Sequence, residues 1–123
     1  DLLADVARRE NVFIKLGGFG MRTGGIPFLD APLPPTSSEV AMFWKPHVAT
    51  CIEACGADRC MFESNFPVDK PSFSYPTMWN SFFLMVDGAS DDELRALFAG
   101  TANRVFNLGL DPLLQAPRPD TPT

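Results

Sequence analysis

Two short apolar runs on either side of one long helical pattern constrain this chain more than any other feature. Val12-Phe13-Ile14-Lys15-Leu16 is rich in β-branched and aromatic residues and apolar nearly throughout. That pattern predicts a strand covered on both faces. Cys60-Met61-Phe62, bounded by Gly56 and Asp58 before it and Pro67 after it, predicts a second short buried strand. Between them, Thr36-Ser37-Ser38-Glu39 has the pattern of a capping box, and Val40, Phe43, Trp44, Val48, Cys51, Ile52 and Cys55 mark one helical face up to Gly56. Pro46 is expected to break or kink this helix, or to open a second segment from its own first turn. A strand, a helix and a strand make a βαβ unit with parallel strands and a right-handed crossover. Two strands alone do not make a stable parallel sheet. The reading is therefore an α/β fold whose sheet is completed by further strands or by another copy of the chain.

The flanking segments fit this plan. Leu2, Leu3, Val6 and Ala7 recur at a 3–4 spacing and predict a short amphipathic helix over 1–10. Gly17 to about Pro35 reads as a long loop, of a length that is often functional. A helix is expected from Tyr75 to Val86, with Pro76 in its first turn and Gly88 just past its end. Ser90-Asp91-Asp92-Glu93 is a second capping box, opening a helix through Leu94, Leu97, Phe98, Ala102, Val105 and Phe106 toward Gly109. We divide the chain into residues 1–109 and a proline-rich tail, 110–123, expected to be disordered.

Composition removes several functional classes. With 10 basic and 15 acidic residues and a net charge of −5, the chain offers no electrostatic footprint for nucleic acid. No apolar run approaches the roughly 18–20 residues that a bilayer span needs. There is no positively charged leader with an apolar segment behind it. Three cysteines, an odd count, are expected as reduced thiols in a cytoplasmic protein.

Function concentrates in Arg59-Cys60-Met61-Phe62-Glu63-Ser64-Asn65-Phe66-Pro67-Val68-Asp69-Lys70. Glu63, Ser64 and Asn65 stand where the second strand leaves the sheet, and α/β proteins bind ligands at the carboxyl ends of strands. On a regular strand Glu63 and Asn65 would share a face. Lys15, near the end of the first strand, holds the equivalent position there.

The run Arg59-Cys60-Met61-Phe62-Glu63-Ser64-Asn65-Phe66-Pro67 resembles the last-strand motif of the amidohydrolase-2 family, whose common form is Arg-hydrophobic-hydrophobic-Phe-Gly-Ser-Asp-Trp-Pro. Asn11-Val12-Phe13-Ile14-Lys15-Leu16-Gly17-Gly18 resembles the family's preceding strand, which usually ends Lys-Leu-Ser-Gly. Gly100-Thr101-Ala102-Asn103-Arg104-Val105-Phe106 resembles its closing helix. The similarity covers about residues 1–108. It implies a partial TIM (β/α)8 barrel: the last two parallel strands with their flanking helices. It also implies a metal-dependent hydrolase, or a related lyase, acting on a small cyclic or carboxylated compound such as a lactone. The family's His-x-His strand and its middle-strand histidine are not in this sequence, whose one histidine, His47, lies in the predicted helix. A divalent metal, zinc or manganese, is thus expected in the intact protein and none in this chain alone, which is expected to be inactive by itself.

The match departs from the family at two positions. Asn65 stands where the family has the aspartate that binds metal and handles the proton of the attacking water. A carboxamide offers one neutral oxygen, so it is at most a weak metal ligand, and it cannot act as a general base. Glu63 stands where glycine is usual, and either takes over a carboxylate role or pairs with a base such as Lys15, Arg22 or Lys70. On this reading Asn65 and Glu63 are the catalytic candidates and Asn65 the metal contact, while Lys15, Arg22 and Phe66 are candidate substrate contacts. The expected partners are a small-molecule substrate and the absent barrel strands or a second copy of the chain; nucleic acid and membrane are not expected. The rival reading is a degenerate, non-catalytic barrel that binds a ligand or self-associates.

Two other patterns carry less. His47, Cys51 and Cys55 are spaced four apart on one helix, which puts His47 and Cys55 about 12 Å apart along its axis, too far to share one ion. The cysteines read instead as small core residues. Gly18, Gly20 and Gly24 approach a dinucleotide-loop spacing, but prolines rather than a helix follow them.

Overall fold

A computed structural model describes residues 2–24 and 27–115. The order is α1 (Leu2–Ala7), β1 (Ile14–Leu16), α2 (Ser37–Cys55), β2 (Cys60–Phe62), α3 (Tyr75–Met85), α4 (Asp91–Arg95), a π-helical turn (Ala96–Gly100), α5 (Thr101–Phe106) and α6 (Asp111–Gln115). The strands pair in parallel, with Ile14 opposite Cys60, Lys15 opposite Met61 and Leu16 opposite Phe62. The expected βαβ unit is therefore present, with a two-stranded sheet among the described residues.

The first strand is shorter than its apolar run. Continuing the register backward would place Phe13 opposite Arg59, but Ala57–Arg59 is a 3-10 turn and offers no extended partner. Burial also divides the strands. Every residue of β2 is buried, whereas Ile14 is half-buried and Lys15 exposed, so β1 is not covered on both faces as expected.

The capping boxes at Thr36 and Ser90 both form. Each hydroxyl accepts from the N3 backbone amide, and Glu39 and Glu93 reach back to the cap residue's N–H. Those contacts, to backbone first and side chain second, hold both carboxyls below their usual range. Contrary to expectation, Pro46 does not end α2, which runs unbroken from Ser37 to Cys55. Pro46 removes the donor that would serve the carbonyl of Met42. Met42 is 74% exposed, so water can take that donor's place.

The core lies where α2 and α3 pack on the strands. Val40, Val48, Cys60, Met78, Phe82 and Leu97 are its most deeply buried members. Phe62 stacks on Phe82 with centroids 4.4 Å apart, and Phe98 stacks on Phe83 at 4.2 Å. Trp44 of α2 stacks on Phe19 at 4.7 Å and donates from Nε1 to the Phe19 carbonyl (3.2 Å), which anchors the loop after β1 to the helix.

The tail departs from expectation over its first residues. α6 forms at Asp111–Gln115 because Asn103 organises it: Asn103 donates to Asp111 Oδ1 (2.9 Å) and accepts from the Leu110 N–H (2.8 Å). Arg95 adds a bond to the Leu114 carbonyl. The rest of the expected disordered tail, 116–123, lies outside the described residues. No described helix is long and apolar enough to cross a membrane.

Candidate functional site at the strand exits

The carboxyl ends of β1 and β2 lie side by side, because the strands are parallel and in register. The Glu63 N–H extends the ladder by one bond to the Leu16 carbonyl (3.1 Å). Beyond it the two chains leave the sheet together, as Gly17-Gly18 and as Ser64-Asn65-Phe66. Gly17 is a steric requirement here, since a Cβ on it would lie 2.6 Å from the Glu63 carbonyl oxygen.

Two polar pairs occupy this rim. In the first, Lys15 Nζ forms an ion pair with Glu63 Oε2, the lysine side chain 53% exposed and the glutamate partly so. This is one of the pairings weighed for Glu63 from the sequence. It leaves the glutamate tied to a cation at the mouth of the sheet.

The second pair is Asn65 with Asp69. Asn65 has φ +51°, in the left-handed region that asparagine tolerates better than most residues. Its carbonyl accepts from the Asp69 N–H (3.3 Å), and its side-chain Nδ2 donates to Asp69 Oδ1 at 2.7 Å. The Ser64 hydroxyl accepts from the Phe66 N–H (3.3 Å) and closes the same turn. Asn65 is thus not on a regular strand, and it does not share a face with Glu63 as the period-2 reading expected. Glu63 turns to Lys15, Asn65 to Asp69.

The remaining candidates are placed less centrally. Phe66 meets Tyr75 edge to face, with centroids 5.2 Å apart, and packs against the core. Arg22 is exposed on a 3-10 turn, in a shallow depression shared with Gly20, Leu29, Val68 and Pro71. Among the described residues no hydrogen bond or ion pair joins Arg22 to Glu63 or Asn65.

Sequence reasoning missed Asp69. It is completely buried, and its Oδ2 has no hydrogen-bond partner among the described residues. The i, i+4 spacing of Asn65 and Asp69 was its one available signal. An aspartate between Val68 and Lys70 in a proline-rich loop otherwise reads as solvated. His47 lies on α2 as expected, exposed beside a small hollow lined by Lys15, Phe19 and Cys51.

A family model described as Amidohydrolase (Amidohydro_2) matches residues 1–108. The chain belongs to the amidohydrolase-2 family. It is 38% identical over 103 residues to the uncharacterized protein y4mH of Sinorhizobium fredii (strain NBRC 101917 / NGR234). That alignment covers 84% of this chain and 30% of y4mH, so the chain spans about a third of the length of that relative. No solved structure matches the chain.

Amidohydrolases typically use divalent metals, and the donor set here can be tested for one. Among the described residues no three His, Cys, Asp or Glu side chains converge as a metal site. At the expected ligand position, Asn65 is a neutral amide already engaged with Asp69. The described residues do not build a metal site by themselves. The three cysteines are free thiols. Burial, followed by the neighbouring Cys55, pushes Cys60 up to about 12, and burial also raises Cys51. Such thiols are poor nucleophiles and poor metal ligands at neutral pH, as expected of core residues.

Proposed function

We propose that this chain supplies the last two strands and flanking helices of a (β/α)8-barrel hydrolase, or a related lyase, acting on a small cyclic or carboxylated compound such as a lactone. The observation that carries the reading is the family match over 1–108, joined to polar side chains gathered at the carboxyl ends of two parallel strands. In this reading Asn65 is the last-strand contact to substrate, through its neutral carbonyl oxygen. Glu63 is the carboxylate of the rim, with Lys15 beside it to attract an acidic group, and Phe66 and Arg22 border the approach. The other six strands come from sequence outside this chain or from another copy of it. A zinc or manganese ion belongs to the parent's chemistry through residues outside this sequence. The chain alone is proposed to be inactive, and its reduced thiols suit a cytoplasmic setting.

One observation favours a second reading. Asn65 replaces the aspartate of the family's common motif, and an amide cannot move a proton at that position. A barrel that binds a ligand or self-associates without turnover fits this substitution. Metal analysis and lactonase assays on the full-length protein separate the two readings. Stoichiometric zinc or manganese with lactone opening is the expected result. A metal-free protein that binds a lactone without opening it would sink the hydrolase.

A further inference from the structure

The pair of half-buried Asn65 and buried Asp69 is more constrained than the proposed reaction requires. Asp69 is fully buried, and Gly20 closes over it so tightly that a Cβ there would lie 2.8 Å from Asp69 Cβ. The Ser72 hydroxyl, itself buried, donates to the Gly20 carbonyl at 2.7 Å and pins that loop in place. Asn65 reaches Asp69 from the rim. The amide turns its NH2 inward, with Nδ2 donating to Asp69 Oδ1. The carbonyl oxygen is left on the opposite side of the amide. The second carboxylate oxygen, buried without a donor, marks the pair as one that a further donor can complete.

We propose that Asp69 is a positioning residue of the strand-exit site: its buried carboxylate locks the Asn65 amide in one orientation, so that Asn65 meets the ligand as a neutral hydrogen-bond acceptor suited to a hydroxyl-bearing substrate. The part concerning the ligand rests on the function proposed above, whereas the lock itself does not. The polar atoms of the pair are 2.7 Å apart, with the asparagine as donor. Aspartate at position 65 would replace the Nδ2 donor with an oxygen and set acceptor against acceptor at that distance, beside a buried carboxyl whose other oxygen already lacks a donor. Asn65→Asp is therefore expected to break the site rather than improve it.

The test is a double-mutant cycle at neutral pH on the full-length protein, with Asn65→Asp, Asp69→Asn and the exchange of both, followed by thermal unfolding and by NMR of the asparagine side-chain amides. Asn65→Asp is expected to lower the melting temperature by about 5 °C or to prevent folding. The exchange, again one carboxylate and one amide, is expected to recover most of that loss. In the unmodified protein the Asn65 amide protons should exchange with solvent far more slowly than those of exposed asparagines. An exchange variant no more stable than Asn65→Asp, or Asn65 amide protons exchanging as fast as exposed ones, would overturn the proposal. Both readouts are independent of turnover, so a failed lactonase assay leaves them intact and their failure leaves the hydrolase reading intact.

Discussion

The two polar pairs at the strand exits are built from similar groups and sit a few residues apart, yet their surroundings give them different weights. Lys15 and Glu63 meet in partial contact with water, where attraction is screened and holding two long side chains costs entropy. Asn65 and Asp69 meet with the carboxylate wholly out of water, where an unmatched polar group is expensive. The louder feature in the sequence, a glutamate at the end of an apolar strand, is the weaker contact. The quieter one, an aspartate four residues after an asparagine, is the one the local fold depends on.

Several substitutions would break or sharpen this contrast. The largest effect is expected for Asp69→Ala, which strips the Asn65 amide of its acceptor and opens a void beneath Gly20. Denaturant unfolding should register a loss of about 2–3 kcal/mol, and a loss no larger than that of an exposed pair would erase the contrast. Gly17→Ala comes next, at about 2 kcal/mol, because the added methyl meets the Glu63 carbonyl oxygen at 2.6 Å as well as the Glu63 Cγ at 2.1 Å, so the backbone has to move even if the side chain gives way. Lys15→Met and Glu63→Gln are each expected to cost less than about 1 kcal/mol, with the difference fading in high salt. A salt-insensitive loss above that would place this pair with the buried one.

The smallest effect concerns the helix caps, which serve as a reference for exposed contacts. Glu39 and Glu93 have carboxyls held below their usual range by the backbone amides of Thr36 and Ser90, and by those residues' hydroxyls. A lowered folded-state pKa means that their stabilisation is present above the unfolded value and is lost as the pH falls through the folded one. Glu39→Gln and Glu93→Gln should therefore lower stability at neutral and alkaline pH, converge with the unmodified protein at low pH, and so flatten the acid side of the profile.

Much of the fold was legible because it is written in local chemistry. A hydroxyl residue three positions before a glutamate and just ahead of an apolar face gave both capping boxes, and two apolar runs around one helix gave a parallel pair. The misreadings share one cause, which is that local pattern does not report what surrounds a residue. Pro46 was expected to interrupt α2, but the carbonyl it deprives belongs to a residue on the wet side of the helix. Asn65 was placed at the strand exit, where a regular strand would put it on one face with Glu63, yet it adopts a left-handed conformation and turns its side chain to Asp69. The tail looked structureless from its prolines, while Asn103 supplies the bonds that start a helix at Asp111. At the strand exits, Asn65, Glu63 and Lys15 were named as candidates from their position and from the family resemblance. Asp69 was not, because nothing in its neighbours signals that a glycine loop will close over it.

The two tryptophans have a practical consequence. Trp44 lies stacked on Phe19 with its indole N–H bound to that residue's carbonyl, in the loop that leaves β1. Trp79 lies edge-on to Phe82, and its buried N–H has no partner among the described residues. The molecule thus carries two optical reporters in unlike environments, one watching the loop beside the strand exits and the other the aromatic interior. Replacing either with phenylalanine isolates the signal of the other. Loop undocking and loss of the interior can then be followed as separate events in the same protein.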